Sequence, residues 1–142
     1  MKKLFLALCL CAIITSCSKI DKSQIVGKWK NEAVDQVGTE DNKYFKSLVI
    51  AKETFNEDGS WERDLDITLN GRPIFGDMKQ MGTWQLNNDI ISIHINKQFM
   101  GGDFNDVDNT EERKITSIKD KEILYIKVDD EEQSTNTLRR IE

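Results

Sequence analysis

"FKSLVIAKETFNEDGSWERDLDITL", residues 45–69, reads as strand, turn, strand. Phe45–Phe55 is rich in β-branched and aromatic residues, which fit a pleated, half-buried surface. Trp61–Leu69 alternates, with Trp61, Arg63, Leu65, Ile67 and Leu69 on one face and Glu62, Asp64, Asp66 and Thr68 on the other. A period of two belongs to a strand. Between them, Asn56-Glu57-Asp58-Gly59 supplies the Asp and Gly that accept the positive φ of a hairpin turn. One antiparallel hairpin is therefore fixed, and the chain extends it in both directions.

Alternation continues outward, and no helical period competes with it. Further strands are expected at Ile25–Ala33, Met78–Leu86, Ile90–Ile95, Thr110–Ile118, Glu122–Val128 and Ser134–Ile141, making eight. Asn70-Gly71, Asn87-Asn88-Asp89, Asp120-Lys121 and the acidic run Asp129–Glu132 separate them, and Pro73 lies in a loop. "GGDFNDVDNTEE", residues 101–112, reads as a solvated acidic loop. Short connections favour an all-β, eight-stranded, up-and-down antiparallel barrel, because closure removes both sheet edges. A sandwich is the runner-up, and its Greek-key crossovers need longer connections.

Gly27-Lys28-Trp29, Gly59-Ser60-Trp61 and Gly82-Thr83-Trp84 repeat one spacing at irregular intervals, which excludes a solenoid. Each glycine is expected near a strand start, with its tryptophan capping one end of the interior. The expected interior is Trp29, Phe55, Trp61, Leu65, Ile67, Trp84, Ile93 and Leu124. Trp29, Trp61, Leu65, Trp84 and Ile93 are the candidate contacts for a small apolar ligand. The competing reading is a barrel filled by its own side chains.

The chain opens MKKLFLALCLCAIITSC. Lys2 and Lys3 precede an apolar run, Leu4–Ile14, that is shorter than the roughly 20 residues a membrane-spanning helix needs. Ile14-Thr15-Ser16-Cys17 resembles the bacterial lipobox. That resemblance implies cleavage before Cys17 and acylation of its sulfur and new amino group. The expected organisation is a signal peptide over 1–16, a lipidated tether over 17–24 and the barrel domain over 25–142. Cys9 and Cys11 would leave with the signal peptide, so Cys17 would be the mature chain's one thiol, with no disulfide framework.

Losing residues 1–16 would leave 126 residues of formal charge −7. So acidic a domain argues against nucleic acid and against docking on anionic head groups through the protein surface. The expected location is the outer membrane of the cell envelope, held by lipid.

No catalytic or metal-binding constellation is visible, so no enzyme and no cofactor are expected. His94 is the only histidine and lies opposite Ile91, Ile93 and Ile95, so it should face solvent. The oxygen ligands Asp103, Asn105, Asp106 and Asp108 lack the central glycine and terminal glutamate of a calcium loop. Phe99 and Phe104 flank or enter the acidic stretch and are candidates for an envelope protein contact.

"IVGKWK" in the first strand resembles the Gly-x-Trp fingerprint of lipocalins, here Gly27 and Trp29. "TFNEDGSW" and "GTWQLNNDIISIHI" are similar to lipocalin-like domains of Bacteroidetes lipoproteins. The resemblance covers Ile25 to the C-terminus and implies a barrel that takes a small apolar or amphipathic ligand. It also implies a late basic residue stacked on Trp29, a role open to Arg139 or Arg140. The alternative is a filled barrel serving as a structural or interaction subunit of an envelope complex.

Overall fold

The computed structural model describes residues 19–38 and 44–141. Cys17 and the segment before it lie outside the described residues. The elements are α1 (Lys22–Ile25), β1 (Gly27–Gly38), β2 (Tyr44–Phe55), β3 (Ser60–Leu69), β4 (Arg72–Pro73), β5 (Met78–Asn87), β6 (Ile90–Met100), β7 (Asp103–Lys119), β8 (Glu122–Lys127) and β9 (Thr135–Arg140). Every pairing is antiparallel. Chain neighbours pair in turn from β5 to β9, β9 returns to β1, and β2 joins β3, which pairs with β5. The result is a closed eight-stranded barrel, with β4 a short extra ladder on β3.

Hairpins 56–59, 88–89 and 120–121 gather at one end with α1, which plugs it. Asp21 caps α1: its carboxylate accepts from the Ser23 N–H, while Gln24 accepts from the Asp21 N–H. The plug is fastened by the Trp29 indole N–H, which donates to the Ile25 carbonyl at 2.7 Å. Lys22 reaches across to the Glu57 carbonyl, and its ammonium lies 5.2 Å from the Trp84 ring centre. Trp29, Phe55, Trp61, Trp84, Ile91, Ile93, Ile123 and Leu138 pack beneath α1 as one core. Burial of each large side chain contributes about 1.5–3 kcal/mol, and this end is the barrel's anchor.

The three glycines serve different needs. Gly59 takes φ +88° in the 56–60 hairpin, where the Asn56 N–H donates to the Ser60 carbonyl. Gly82 lies in the middle of β5, not near a strand start. A Cβ there would lie 1.9 Å from the His94 carbonyl oxygen, so only glycine admits the β6 backbone. The ladder between β5 and β6 shifts register at this point. Gly27 is the first residue of β1.

Other expectations change: Lys22–Gln24 belong to α1 instead of the tether, and Pro73 pairs with Thr68 in β4 instead of lying in a loop. The stretch 101–112 is not a loop: β6 and β7 continue as a paired hairpin around Gly101-Gly102, both at positive φ as a tight two-residue turn requires. Most of its outer residues are exposed, with Phe99 and Val107 half-buried, so no regular apolar face marks it in the sequence. Leu124 is half-buried, and its neighbours Ile123 and Tyr125 supply the core instead. A register shift between Ile115 and Ser117 pairs Leu124 with Ser117. Ile25 belongs to α1, not to β1. Ile67 is only half-buried, because it sits toward the opposite, open end.

Candidate functional site

The barrel interior has two halves. Above the tryptophan core, the inward positions Glu53 of β2, Arg63 of β3, Glu111 and Arg113 of β7 and Tyr125 of β8 form a charged cluster. Glu53 and Arg113 are 2 % and 0 % exposed. Two arginines hold two carboxylates. The Arg113 Nη2 donates to Glu53 at 3.0–3.1 Å and its Nε to Glu111 at 2.7 Å. The Arg63 Nη1 and Nη2 donate to the second oxygen of Glu111 at 3.2 and 3.1 Å. The Trp61 indole N–H completes Glu53, and the Gln80 side-chain oxygen accepts from the Arg63 Nε. The guanidinium of Arg113 lies 4.8 Å from the Tyr125 ring centre and that of Arg63 lies 4.9 Å from Trp61.

Burial alone would raise the Glu111 carboxyl, but Arg113 and Arg63 outweigh it and hold the group at about 2. The Tyr125 phenol is pushed up, chiefly by burial, and stays neutral. Arg113 is fully buried, and its attraction to Glu53, Tyr125 and Glu111 keeps it charged against the desolvation that opposes it. Its Nη1 has no hydrogen-bond partner among the described residues.

This cluster floors a half-open cavity of about 290 Å³ inside the barrel. Polar side chains line most of it, among them Asn31, Glu53, Arg63, Gln80, Glu111, Tyr125, Lys127 and Asn136, with Ala33, Val49, Ala51 and Leu65 as the apolar part. The β1–β9 ladder holds for only two pairs, Trp29 with Arg140 and Lys30 with Arg139, at the plugged end. Beyond them Asn31 of β1 reaches Tyr125 of β8 directly, donating to its hydroxyl at 2.9 Å. The cavity thus lies where the wall is least fastened.

The five candidate ligand contacts divide. Leu65 lines the cavity. Trp29, Trp61, Trp84 and Ile93 are packed in the closed core, at 0–2 % exposure, and do not line it. Sequence reasoning placed Arg63 inward but missed Glu53, Glu111, Arg113 and Tyr125. The signal was present: Glu53 alternates with Ala51 and Phe55, and Arg113 with Ile115. Of the two late arginines, Arg140 covers Trp29 at 4.4 Å, while Arg139 is exposed.

His94 faces solvent, 3.7 Å from Asp108. Among the described residues no group of three acidic, histidine or cysteine side chains is placed to hold a metal ion. On the outer wall a groove of about 820 Å³ runs beside Phe75, Phe99 and Phe104. Phe99 and Phe104 pair across the β6–β7 hairpin with ring centres 5.0 Å apart.

A plugged, closed antiparallel barrel with an internal cavity and an arginine-capped first-strand tryptophan defines a calyx-type protein. The lipocalin-like domain family matches residues 25–125, most of the chain, and the protein belongs to that family. No curated protein shows significant similarity to it.

Proposed function

We propose that the protein is a non-enzymatic, lipid-anchored binding protein of the cell envelope whose barrel holds a small amphipathic ligand. The half-open cavity of about 290 Å³ supports this reading, because the inward side chains above the tryptophan core leave that part of the barrel unfilled. Its mixed lining favours an amphipathic molecule over a purely apolar one. Anchorage rests on Cys17 and the lipobox resemblance. The described chain starts at Lys19 on the plugged end, so anchorage there would turn the open end away from the bilayer and expose it to soluble ligand.

Native mass spectrometry of protein extracted from its own membranes tests the reading. A bound small molecule, lost when Leu65 is replaced by Trp to fill the cavity, supports it. Extracted protein with no bound mass, and no change of tryptophan fluorescence with added amphiphiles, would count against it.

A second reading has its own observation. Phe75 and Phe104 are 51 % and 59 % exposed beside the outer groove, an unusual placement for aromatics unless they meet a partner. On this reading the protein is an interaction subunit of an envelope complex. Cross-linking in membranes decides: a stoichiometric partner lost on Phe104→Ala favours it.

A further inference from the structure

The cavity's unpaired charge is one-sided. Both carboxylates facing it are already consumed. Glu53 accepts from Arg113 and Trp61, and Glu111 accepts from Arg63 on one oxygen and Arg113 on the other. What remains is one cation and one phenol donor, beside the amide oxygens of Asn31 and Asn136. The Tyr125 hydroxyl accepts from Asn31, which leaves its own O–H to give. Lys127 lines the cavity with no ion pair or side-chain hydrogen bond among the described residues, whereas Arg113, whose Nη1 is buried without an acceptor, lies beneath the lining. Of the charged side chains that line the cavity, Glu53, Arg63 and Glu111 already stand in ion pairs, which leaves the positive charge of Lys127 unmatched among the described residues. A buried donor left unpaired costs free energy, and a ligand supplying acceptors recovers it.

We infer that the barrel selects a small monoanionic amphiphile, its anionic head taken by Lys127 and the Tyr125 hydroxyl and its short apolar body lying against Ala33, Val49, Ala51 and Leu65. This deepens the ligand-binding reading and rests on it. A cationic head is disfavoured because both carboxylates are already paired with arginines. A neutral alcohol would satisfy Tyr125 but leave the charge of Lys127 unmatched. The small volume restricts the body to a short chain.

Three probes with one tail separate the possibilities: hexanoate, 1-hexanol and hexylammonium, titrated calorimetrically into the full chain purified in a neutral detergent. Hexanoate is expected to bind at least about tenfold more tightly than hexanol, and hexylammonium weakest of all. Lys127→Gln, at a half-exposed position, should lower hexanoate affinity about fivefold or more and leave hexanol unchanged, with tryptophan fluorescence reporting an intact core. Equal binding of hexanoate and hexanol, or tightest binding of hexylammonium, overturns the charge inference while the binding reading stands. If none of the three binds, both fall.

Discussion

The guanidinium carbon of Arg140 lies 4.4 Å from the centre of the Trp29 ring, and its terminal nitrogens donate to the carbonyls of Val26 and Gln24 at 3.0 and 2.9 Å. One side chain thereby joins the last strand, the first strand and the C-terminal end of the α1 plug. The two carbonyls need a donor because α1 is a single turn whose end leaves them unpaired within it. Trp29 and Arg140 are also register partners in the short β1–β9 ladder, so the contact closes the barrel where its seam is fastened.

Arg140→Ala removes a cation–π contact of about 0.5–2 kcal/mol and two charge-assisted hydrogen bonds. A loss of about 3 kcal/mol in unfolding free energy is expected from urea denaturation. Arg139→Ala should change it by less than about 0.5 kcal/mol, since that side chain is exposed and reaches only Glu122, at 3.8 Å. Equal effects of the two substitutions would refute the assignment of Arg140 as the fingerprint arginine.

Gly82→Ala should be the most damaging glycine substitution. Its Cβ would meet backbone, which cannot swing aside as a side chain can, so the β5–β6 ladder must separate. A fall of about 3 kcal/mol or more, or failure to fold, is expected. Gly76→Ala, with nothing within 4 Å of the added carbon, should be nearly neutral. A paired thermal-melt comparison checks the contrast.

The ion cluster makes stability acid-sensitive. Glu111 is held at about 2 in the folded protein against an ordinary 4.5. A depressed carboxyl stabilises above the ordinary value and loses that contribution as pH falls through the folded one. Between about pH 4.5 and 2 the fold should lose roughly 3 kcal/mol from this group. Glu111→Gln is expected to be destabilised at neutral pH, because Arg63 and Arg113 lose their counter-charge. It should also show a flatter acid limb in denaturation curves measured across that range. An unchanged acid limb would show that Glu111 does not set it.

Local signals carried the barrel and the tryptophans that close one end of its interior, while the α1 plug lies where the sequence predicts tether and strand. The 56–60 hairpin, the alternation of β3 and β6, and the Gly-x-Trp spacing each depend on neighbours in the chain, which a sequence displays. The charged half of the interior depends on partners far apart: Glu53 and Arg113 are 60 residues distant, and Arg63 and Glu111 are 48. A single inward charge reads as an error in an apolar pattern until its counter-charge is found on another strand. Opposite charges at inward positions of three strands, Glu53, Arg63, Glu111 and Arg113, were the available clue. The β6–β7 hairpin escaped for the reverse reason: most of its outer residues are exposed on both faces, so its composition shows no alternation.

Cys17 carries the anchoring expectation, and it lies outside the described residues. The apolar run before it is too short to span a bilayer, and among the described residues no helix is long and apolar enough to cross one. The rest of the chain is acidic in net charge, which disfavours binding to anionic lipid through its surface. If acylation is the source of membrane affinity, each buried CH₂ contributes about 0.8 kcal/mol, and several chains together hold firmly. Cys17→Ala should then abolish incorporation of labelled palmitate and either release the protein from the membrane fraction or leave it as unprocessed precursor. The barrel should still fold, because α1 and the strands begin beyond that residue. Labelled palmitate on the Cys17→Ala protein, or a cleaved form that stays bound through a salt wash, would mean the anchor lies elsewhere.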